Sequence, residues 1–306
     1  MKALADYIHS LGLKIGIYSD AGWRTCAGHP GSRGYEYQDA LTYAGWGIDY
    51  LKYDWCNTEG LNARGAYLTM RDALYKAGRP IVFSLCEWGS NNPWEWGADI
   101  GHLWRTTGDI APIFDGAEHH STWSSWGVLQ ILNMRPGIRQ FAGPDHWNDP
   151  DMMEIGNGMS TDEDRTHFSL WCMMAAPLIA GNDIRLMNEE TRAILTNREV
   201  IAVDQDSLGI QGFRYLELNG LEAYAKPLKN GDLAVCFFNP GLETLSITYD
   251  WEKHPIKDDL FHKQYFFDQT PYHVRDLWAK KNIGTTQAPL KLKIPSHGVV
   301  MVRLSK

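Results

Sequence analysis

Apolar segments that end in polar residues alternate with helix-forming segments over the first two thirds of this sequence. The clearest one runs Ile48-Asp-Tyr-Leu-Lys-Tyr-Asp-Trp-Cys56, which begins with strand-forming residues and ends in a carboxylate, an indole and a thiol. Similar segments end at Asp20, Trp88 and Asp109. This alternation is typical of a parallel sheet, in which helices connect the strands and polar side chains gather at the carboxyl ends of the strands.

The pattern predicts an α/β fold of the (β/α)₈ TIM-type barrel. A doubly wound open sheet is the alternative, but no G-x-G-x-x-G follows the first strand and the carboxylates are spread over several strand ends. We count six strand-helix units where a closed barrel needs eight, so we expect the barrel to be N-terminally incomplete. We expect a strand end over 177–183, a helix that starts at Lys2 and stops at Gly12, and further helices over 35–45, 63–77, 122–133, 163–174 and 188–195.

Beyond Gly212 the pattern changes to short alternating segments. They are separated by turn-forming dipeptides at Asn219-Gly220, Asn230-Gly231 and Pro240-Gly241, which are typical of tight turns between antiparallel strands. The sequence therefore predicts a barrel domain over 1–212 and an antiparallel β-sandwich over 213–306. The sandwich does not repeat the polar pattern of the strand ends, so we expect it to serve packing.

Composition and motifs argue against several kinds of partner and site. The net charge of −8 over 306 residues disfavours nucleic acid, and no apolar run has the length of a membrane span. There is no H-x-H or H-E-x-x-H to favour a metal-dependent hydrolase, and no G-x-S-x-G for a serine hydrolase. The five cysteines are not spaced as zinc ligands. Cys26 and Cys56 both follow strand ends in polar surroundings and could be bridged.

Acidic side chains at the strand ends are the candidates for chemistry. We expect Asp54, Asp109 and Asp151 to lie at one barrel mouth, with Asp20, Asp149 and Asp183 nearby. A crowded pair of carboxyl groups can divide into an ionised nucleophile and a protonated acid. Lys52 is two residues before Asp54 and shares its strand face, so it favours the ionised form.

Tryptophan is abundant near the same strand ends. Five of the 13 tryptophans lie there, at Trp23, Trp55, Trp88, Trp104 and Trp147. Indole faces stack on the C–H faces of sugar rings, while carboxylates bind hydroxyl groups, so the combination indicates a carbohydrate ligand.

Two motifs carry a resemblance to a known family. At Lys52-Tyr-Asp54-Trp-Cys56 and Trp147-Asn-Asp-Pro-Asp151-Met the sequence resembles glycoside hydrolase family 27, the α-galactosidases and their relatives. Further matches are Gly16-Ile-Tyr-Ser-Asp20, Thr25-Cys-Ala-Gly28, Ser84-Leu-Cys-Glu-Trp-Gly89, Trp104-Arg-Thr-Thr-Gly-Asp109 and Glu199-Val-Ile-Ala-Val-Asp-Gln-Asp206.

The resemblance implies a retaining glycosidase that uses no metal and no organic cofactor. It implies that Asp54 is the nucleophile and Asp109 the acid/base. The remaining site positions that it implies are the hydroxyl-binding residues Lys52, Arg105 and Asp151, the walls Tyr18, Cys86, Trp88 and Met152, and a disulfide between Cys26 and Cys56. The implied substrate is an α-galactoside oligosaccharide or glycoconjugate, and oligomeric state and compartment are left open.

The family pattern also contains two strands that would precede the helix at the start of this sequence. We therefore expect the chain to be a fragment of an α-galactosidase. Because the residues of those strands distinguish the family's specificities, a β-L-arabinopyranosidase is an alternative. A second alternative is a catalytically inactive chain that binds galactosides weakly.

Overall fold

The computed structural model describes residues 1–134 and 136–306 of the chain. Their α-helices, in chain order, are α1 (Lys2–Ser10), α2 (Glu36–Trp46), α3 (Ala63–Lys76), α4 (Val128–Met134), α5 (Thr161–Met173), α6 (Glu189–Leu195) and α7 (Arg198–Asp204). Their β-strands are β1 (Gly16–Asp20), β2 (Tyr50–Asp54), β3 (Val82–Cys86), β4 (Leu103–Arg105), β5 (Ala117–His120), β6 (Trp123–Trp126), β7 (Trp147–Asp149), β8 (Phe213–Leu218), β9 (Leu221–Pro227), β10 (Leu233–Phe238), β11 (Leu245–Tyr249), β12 (Ile256–Asp258), β13 (Lys263–Tyr265), β14 (His273–Asp276), β15 (Lys281–Thr285), β16 (Leu290–Ile294) and β17 (Val299–Ser305). Among the described residues, every helix is too short or too polar to cross a membrane.

Packing divides the described residues into two compact units. The first contains residues 1–108 and 145–149, and the second contains residues 109–144 and 150–306. Within the second unit, the helices α5 to α7 share a hydrophobic core with the C-terminal strands.

The first unit is built on a five-stranded parallel sheet in the order β1-β2-β3-β4-β7. The register aligns the strand ends, so that Asp20 is opposite Asp54 and Asp54 is opposite Cys86. Arg105 is opposite Asp149 in the same way. The predicted parallel sheet is confirmed, and its carboxyl edge collects the polar residues because all five strands run in one direction.

Capping residues and a glycine define the ends of three helices. The Asn62 side chain caps α3 by accepting from the Gly65 N–H at 2.9 Å. Helix α5 begins with a reciprocal capping box, in which Ser160 accepts from the Glu163 backbone N–H and Glu163 accepts from the Ser160 N–H. Gly12 follows α1 with φ of 74°, a left-handed conformation that suits glycine at a helix end.

The expected helix over 122–133 is wrong in its first half. Residues 117–126 form the hairpin of β5 and β6, and α4 begins only at Val128. Side-chain hydrogen bonds of 2.9 Å join His119 to Ser124 and His120 to Ser125 across the hairpin, and the His120 ring stacks on Trp123. Serine, threonine and tryptophan have weak helix propensity, so these cross-strand contacts decide the local structure.

Two further segments differ from expectation. The strand end expected over 177–183 contains one parallel bridge, between Met153 and Ala180, because Pro177 and Gly181 interrupt regular strand pairing. The helix expected over 188–195 corresponds to α6. It is followed by an additional helix, α7, whose N-terminus is capped by the Asn197 side chain.

The second unit contains the predicted antiparallel sandwich. A six-stranded sheet in the order β15-β14-β17-β10-β9-β8 lies at its centre, and β11 pairs with β16 in a smaller sheet. Strand β10 is buried at every position, and its side chains alternate between two cores. Cys236 and Phe238 belong to the core shared with α5, whereas Val235 and Phe237 belong to the core shared with β11 and β16. The strands β12, β13 and β15 were not predicted.

Candidate active site

Asp54 is the last residue of β2, and two hydrogen bonds hold its carboxylate. The Tyr18 hydroxyl donates to Oδ2 at 2.8 Å, and the Trp55 backbone N–H donates to Oδ1 at 2.9 Å. Burial, followed by the charge of Asp54, raises the pKa of Tyr18 well above its ordinary value, so this hydroxyl remains a donor at neutral pH. Lys52 is opposite Tyr18 in the register, with Nζ 6.0 Å from the centre of the Tyr18 ring. The structure thus brings Tyr18, Lys52 and Asp54 together.

The loops after β1 and β2 are joined by the disulfide between Cys26 and Cys56, as expected. The Cys26 sulfur lies 3.6 Å from Oδ2 of Asp54. Asp20 ties the same loops together, since its carboxylate accepts from the N–H groups of Gly22 at 2.7 Å and Cys56 at 3.0 Å. Burial raises the pKa of Asp20 to about 6, against the opposing effect of these two hydrogen bonds. Asp20 therefore supports the wall beside Asp54.

Arg105 and Cys86 end neighbouring strands and touch each other in the interior. The Arg105 Nη1 lies 3.7 Å from the Cys86 sulfur, and Nη2 donates to the Thr107 carbonyl at 3.2 Å. Both side chains are buried. Trp88 follows Cys86 by two residues and has φ of 57°, a conformation that is uncommon for a non-glycine residue and concentrated at functional sites.

Asp149 and Asp183, two more of the aspartates expected near the barrel mouth, lie in different units. Asp149 ends β7 in the first unit, and its backbone carbonyl accepts from the Thr106 N–H at 2.9 Å. Asp183, in the second unit, forms an ion pair of 2.6 Å with Arg185 on the surface. Its exposure and its local partner are those of a surface charge.

The strand-end tryptophans differ in environment. Trp104 is fully buried and donates to the Asn148 side chain at 2.8 Å, so it is a core residue. Trp55 stacks on Tyr67 with 5.6 Å between ring centres. Trp23 is 60% exposed, and the Arg33 guanidinium lies over its ring, 4.3 Å from the ring centre.

Asp109 lies in the second unit, where its neighbour Ile110 contacts Asp151. The Ile110 N–H donates to Oδ2 of Asp151 at 2.9 Å, and the Met152 N–H donates to Oδ1 at 2.8 Å. The Asp109 carbonyl accepts from the Trp126 N–H at 2.8 Å. Asp151 has φ of 93°, and Met152 is partly exposed beside it. The predicted residues Asp109, Asp151 and Met152 are thus linked within one unit.

Trp171 is a site-supporting residue that the sequence did not reveal. It lies on α5, is fully buried and donates its indole N–H to the backbone carbonyl of Asp151 at 2.8 Å. A tryptophan in a helical apolar pattern is typical of a core residue, and its bond to a backbone carbonyl leaves no trace in the residue pattern. No sequence signal could have found this contact.

The described residues bring together one group of potential metal ligands. Asp20, Cys26, Asp54 and Cys56 each offer an atom within 4.8 Å of the others. The two sulfurs are joined in the disulfide, so they have no thiolate to offer a metal ion. The Asp54 carboxylate is instead held in one orientation by two hydrogen-bond donors of the first unit.

Family models match both parts of the chain. The model described as alpha galactosidase A matches residues 1–206, and the model described as the alpha galactosidase C-terminal beta sandwich domain matches residues 219–304.

Individual relatives agree with the family models. The alpha-galactosidase A of Cellvibrio japonicus (strain Ueda107) is 58% identical over 305 residues, which cover 100% of this chain and 75% of the relative. The crystal structure of alpha-galactosidase I from Mortierella vinacea has a TM-score of 0.90 at 36% identity and covers 99% of this chain and 79% of that one. The structure of the Saccharomyces cerevisiae enzyme with raffinose has a TM-score of 0.89 at 28% identity, covering 99% and 82%.

Proposed function

This chain belongs to glycoside hydrolase family 27, the α-galactosidase family, and from that premise we propose that it releases terminal α-linked galactose from α-galactosides with retention of configuration. The parallel sheet of the first unit and the antiparallel sheets of the second are those of the family's TIM-type barrel and C-terminal β-sandwich. We also propose that the catalytic domain covers residues 1–212 and the sandwich domain residues 213–306.

The observation that carries the proposal is the fixed carboxylate of Asp54 in a chain with this family membership. Asp54 attacks the anomeric carbon while the glycosidic C–O bond breaks, and Asp109 donates a proton to the leaving oxygen. Asp109 then takes a proton from water as the water oxygen attacks the same carbon and the Asp54–sugar bond breaks. The Tyr18 O–H and the Trp55 N–H steady the Asp54 carboxylate before attack and after its release.

Substrate recognition is assigned to the residues around these two carboxylates. Lys52, Arg105 and Asp151 bind the sugar hydroxyls, and the walls of the sugar site are Tyr18, Cys86, Trp88 and Met152. The S. cerevisiae relative was solved with raffinose, so galacto-oligosaccharides of that chemistry are the first substrates to test.

Replacement of Asp54 tests the proposal directly. Asp54→Asn keeps the shape and the N–H contact of Trp55 but removes the nucleophile, so turnover of 4-nitrophenyl α-galactoside should fall by about 10⁴-fold or more, measured by nitrophenolate release. Asp183→Asn is the matched control, since it makes the same chemical change in a surface ion pair. Unchanged turnover in Asp54→Asn would remove Asp54 from its role.

The acid/base role of Asp109 is tested by the leaving group. Asp109→Asn should reduce kcat/KM strongly for raffinose, whose leaving oxygen needs a proton, and much less for an aryl galactoside with a good leaving group. Equal losses on both substrates would count against Asp109 as the acid. Faster turnover of 4-nitrophenyl β-L-arabinopyranoside by the unmodified chain would favour the arabinopyranosidase alternative.

A further inference from the structure

The segment that carries Asp151 is fastened to α5 at two points. The indole N–H of Trp171 donates to the Asp151 carbonyl at 2.8 Å. Four residues earlier on α5, Nε2 of His167 accepts from the Glu154 N–H at 3.1 Å. The His167 and Trp171 rings pack edge to face with 4.0 Å between their centres, and both are fully buried. One face of α5 therefore fixes the backbone from Asp151 to Glu154.

This fastening acts on a backbone that would otherwise be unfavourable. Asp151 has φ of 93°, in the left-handed region that side-chain-bearing residues rarely occupy. Such conformations persist only where surrounding contacts hold them in place. In this conformation the two carboxylate oxygens accept from two different N–H groups, those of Met152 and Ile110. Ile110 directly follows Asp109, so the Asp151 carboxylate fixes the peptide unit next to Asp109.

Helix α5 is itself rigidly placed within the second unit. Its capping box defines the N-terminus, the Thr166 hydroxyl donates to the His297 carbonyl at 2.6 Å, and the Ser169 hydroxyl accepts from the Trp278 indole at 3.0 Å. Trp171 therefore connects a fixed helix to the strained residue that positions the segment of Asp109.

We propose that Trp171 is a positioning residue for acid catalysis, acting through the Asp151 carbonyl and carboxylate on the placement of Asp109. Trp171 is fully buried on α5, so it acts through the Asp151 segment and not by contact with the substrate. The inference rests on the proposed function, because it concerns the residue that protonates the leaving group. Loss of the indole N–H leaves the Asp151 carbonyl without this donor and frees its backbone to relax, so proton transfer suffers before the nucleophilic attack of Asp54 does.

The experiment compares Trp171→Phe with Trp278→Phe. Both changes remove an indole N–H that joins α5 to another segment. The Trp171 donor, on α5, binds the Asp151 carbonyl, whereas the Trp278 donor binds Ser169 of α5 and not the Asp151 segment. We expect Trp171→Phe to lower kcat/KM for raffinose by about fivefold, the factor that corresponds to one ordinary hydrogen bond, and to change kcat/KM for 4-nitrophenyl α-galactoside by less than about twofold. Trp278→Phe should leave the ratio of the two values unchanged.

A second replacement covers the case in which Trp171→Phe does not fold. Site-specific incorporation of benzothienylalanine at position 171 keeps the size of the ring and exchanges only the N–H for sulfur, and it should show the same substrate dependence. Equal losses on both substrates, or a substrate ratio like that of Trp278→Phe, would overturn the proposal. If Asp54→Asn remained active, the proposed function would fail instead, so the two failures are distinguishable.

Discussion

At the scale of single residues, the sequence predicted those site residues that lie at or near the end of a strand. Asp54, Lys52 and Tyr18 lie on strands β1 and β2, and the parallel register alone brings them together. Trp171 could not be found in this way, because its partner is a backbone carbonyl and its helix position is that of an ordinary core residue. Backbone strain at Trp88 and Asp151 was equally invisible, since it depends on tertiary contacts.

Tyr18 provides a residue-scale prediction. Its hydroxyl donates to the Asp54 carboxylate at 2.8 Å, and a hydrogen bond to a charged group contributes about 1.5–3 kcal/mol. If the same energy is lost in the transition state, Tyr18→Phe should lower kcat/KM for 4-nitrophenyl α-galactoside by roughly 10- to 100-fold. Tyr37→Phe, on the exposed side of α2, is the matched control. Wild-type kinetics in Tyr18→Phe would show that this contact does not serve catalysis.

At the scale of elements, the turn-forming dipeptides correctly predicted turns between the C-terminal strands. The helix expected over 63–77 begins at the Asn62 cap, whereas the Ser160/Glu163 box starts α5 two residues before the expected 163. The helix expected over 122–133 includes β6, which instead pairs with β5 in a hairpin. Its cross-strand histidine–serine contacts depend on a pairing that periodicity does not report.

His167, on α5, should make the free energy of unfolding depend on pH. Burial lowers the pKa of His167 to about 3 from an ordinary value of 6.5, and its Nδ1 has no hydrogen-bond partner among the described residues. As the pH falls below 6.5, the unfolded chain binds a proton at this position that the folded chain does not. The free energy of unfolding should therefore decrease by about 1.4 kcal/mol per pH unit from this group.

The measurement is urea denaturation at pH 7, 6 and 5 for the unmodified chain and for His167→Gln. Glutamine offers an oxygen that can accept from the Glu154 N–H and does not titrate, so the variant should lose less stability between pH 7 and pH 5. His273→Gln, an exposed histidine on β14, should keep the slope of the unmodified chain. Parallel slopes for His167→Gln and the unmodified chain would refute the assignment.

At the scale of the whole molecule, fold class followed from the sequence, but the packing of the second unit did not. Strand β10 reads as a single apolar run, Leu-Ala-Val-Cys-Phe-Phe, which does not reveal that it separates two cores. Lys226, on the neighbouring β9, is fully buried and donates to the Cys172 carbonyl at 3.0 Å. Such long-range contacts join α5 to the C-terminal strands within the second unit.

We propose that Asp54 and Asp109 carry out two displacements at one anomeric carbon. A double displacement retains the configuration, whereas a single attack by water inverts it. ¹H NMR of the first anomer released from 4-nitrophenyl α-galactoside, recorded before mutarotation, distinguishes the two. We expect α-galactose to appear first and the β-anomer to grow in later. Initial release of β-galactose would contradict the proposal.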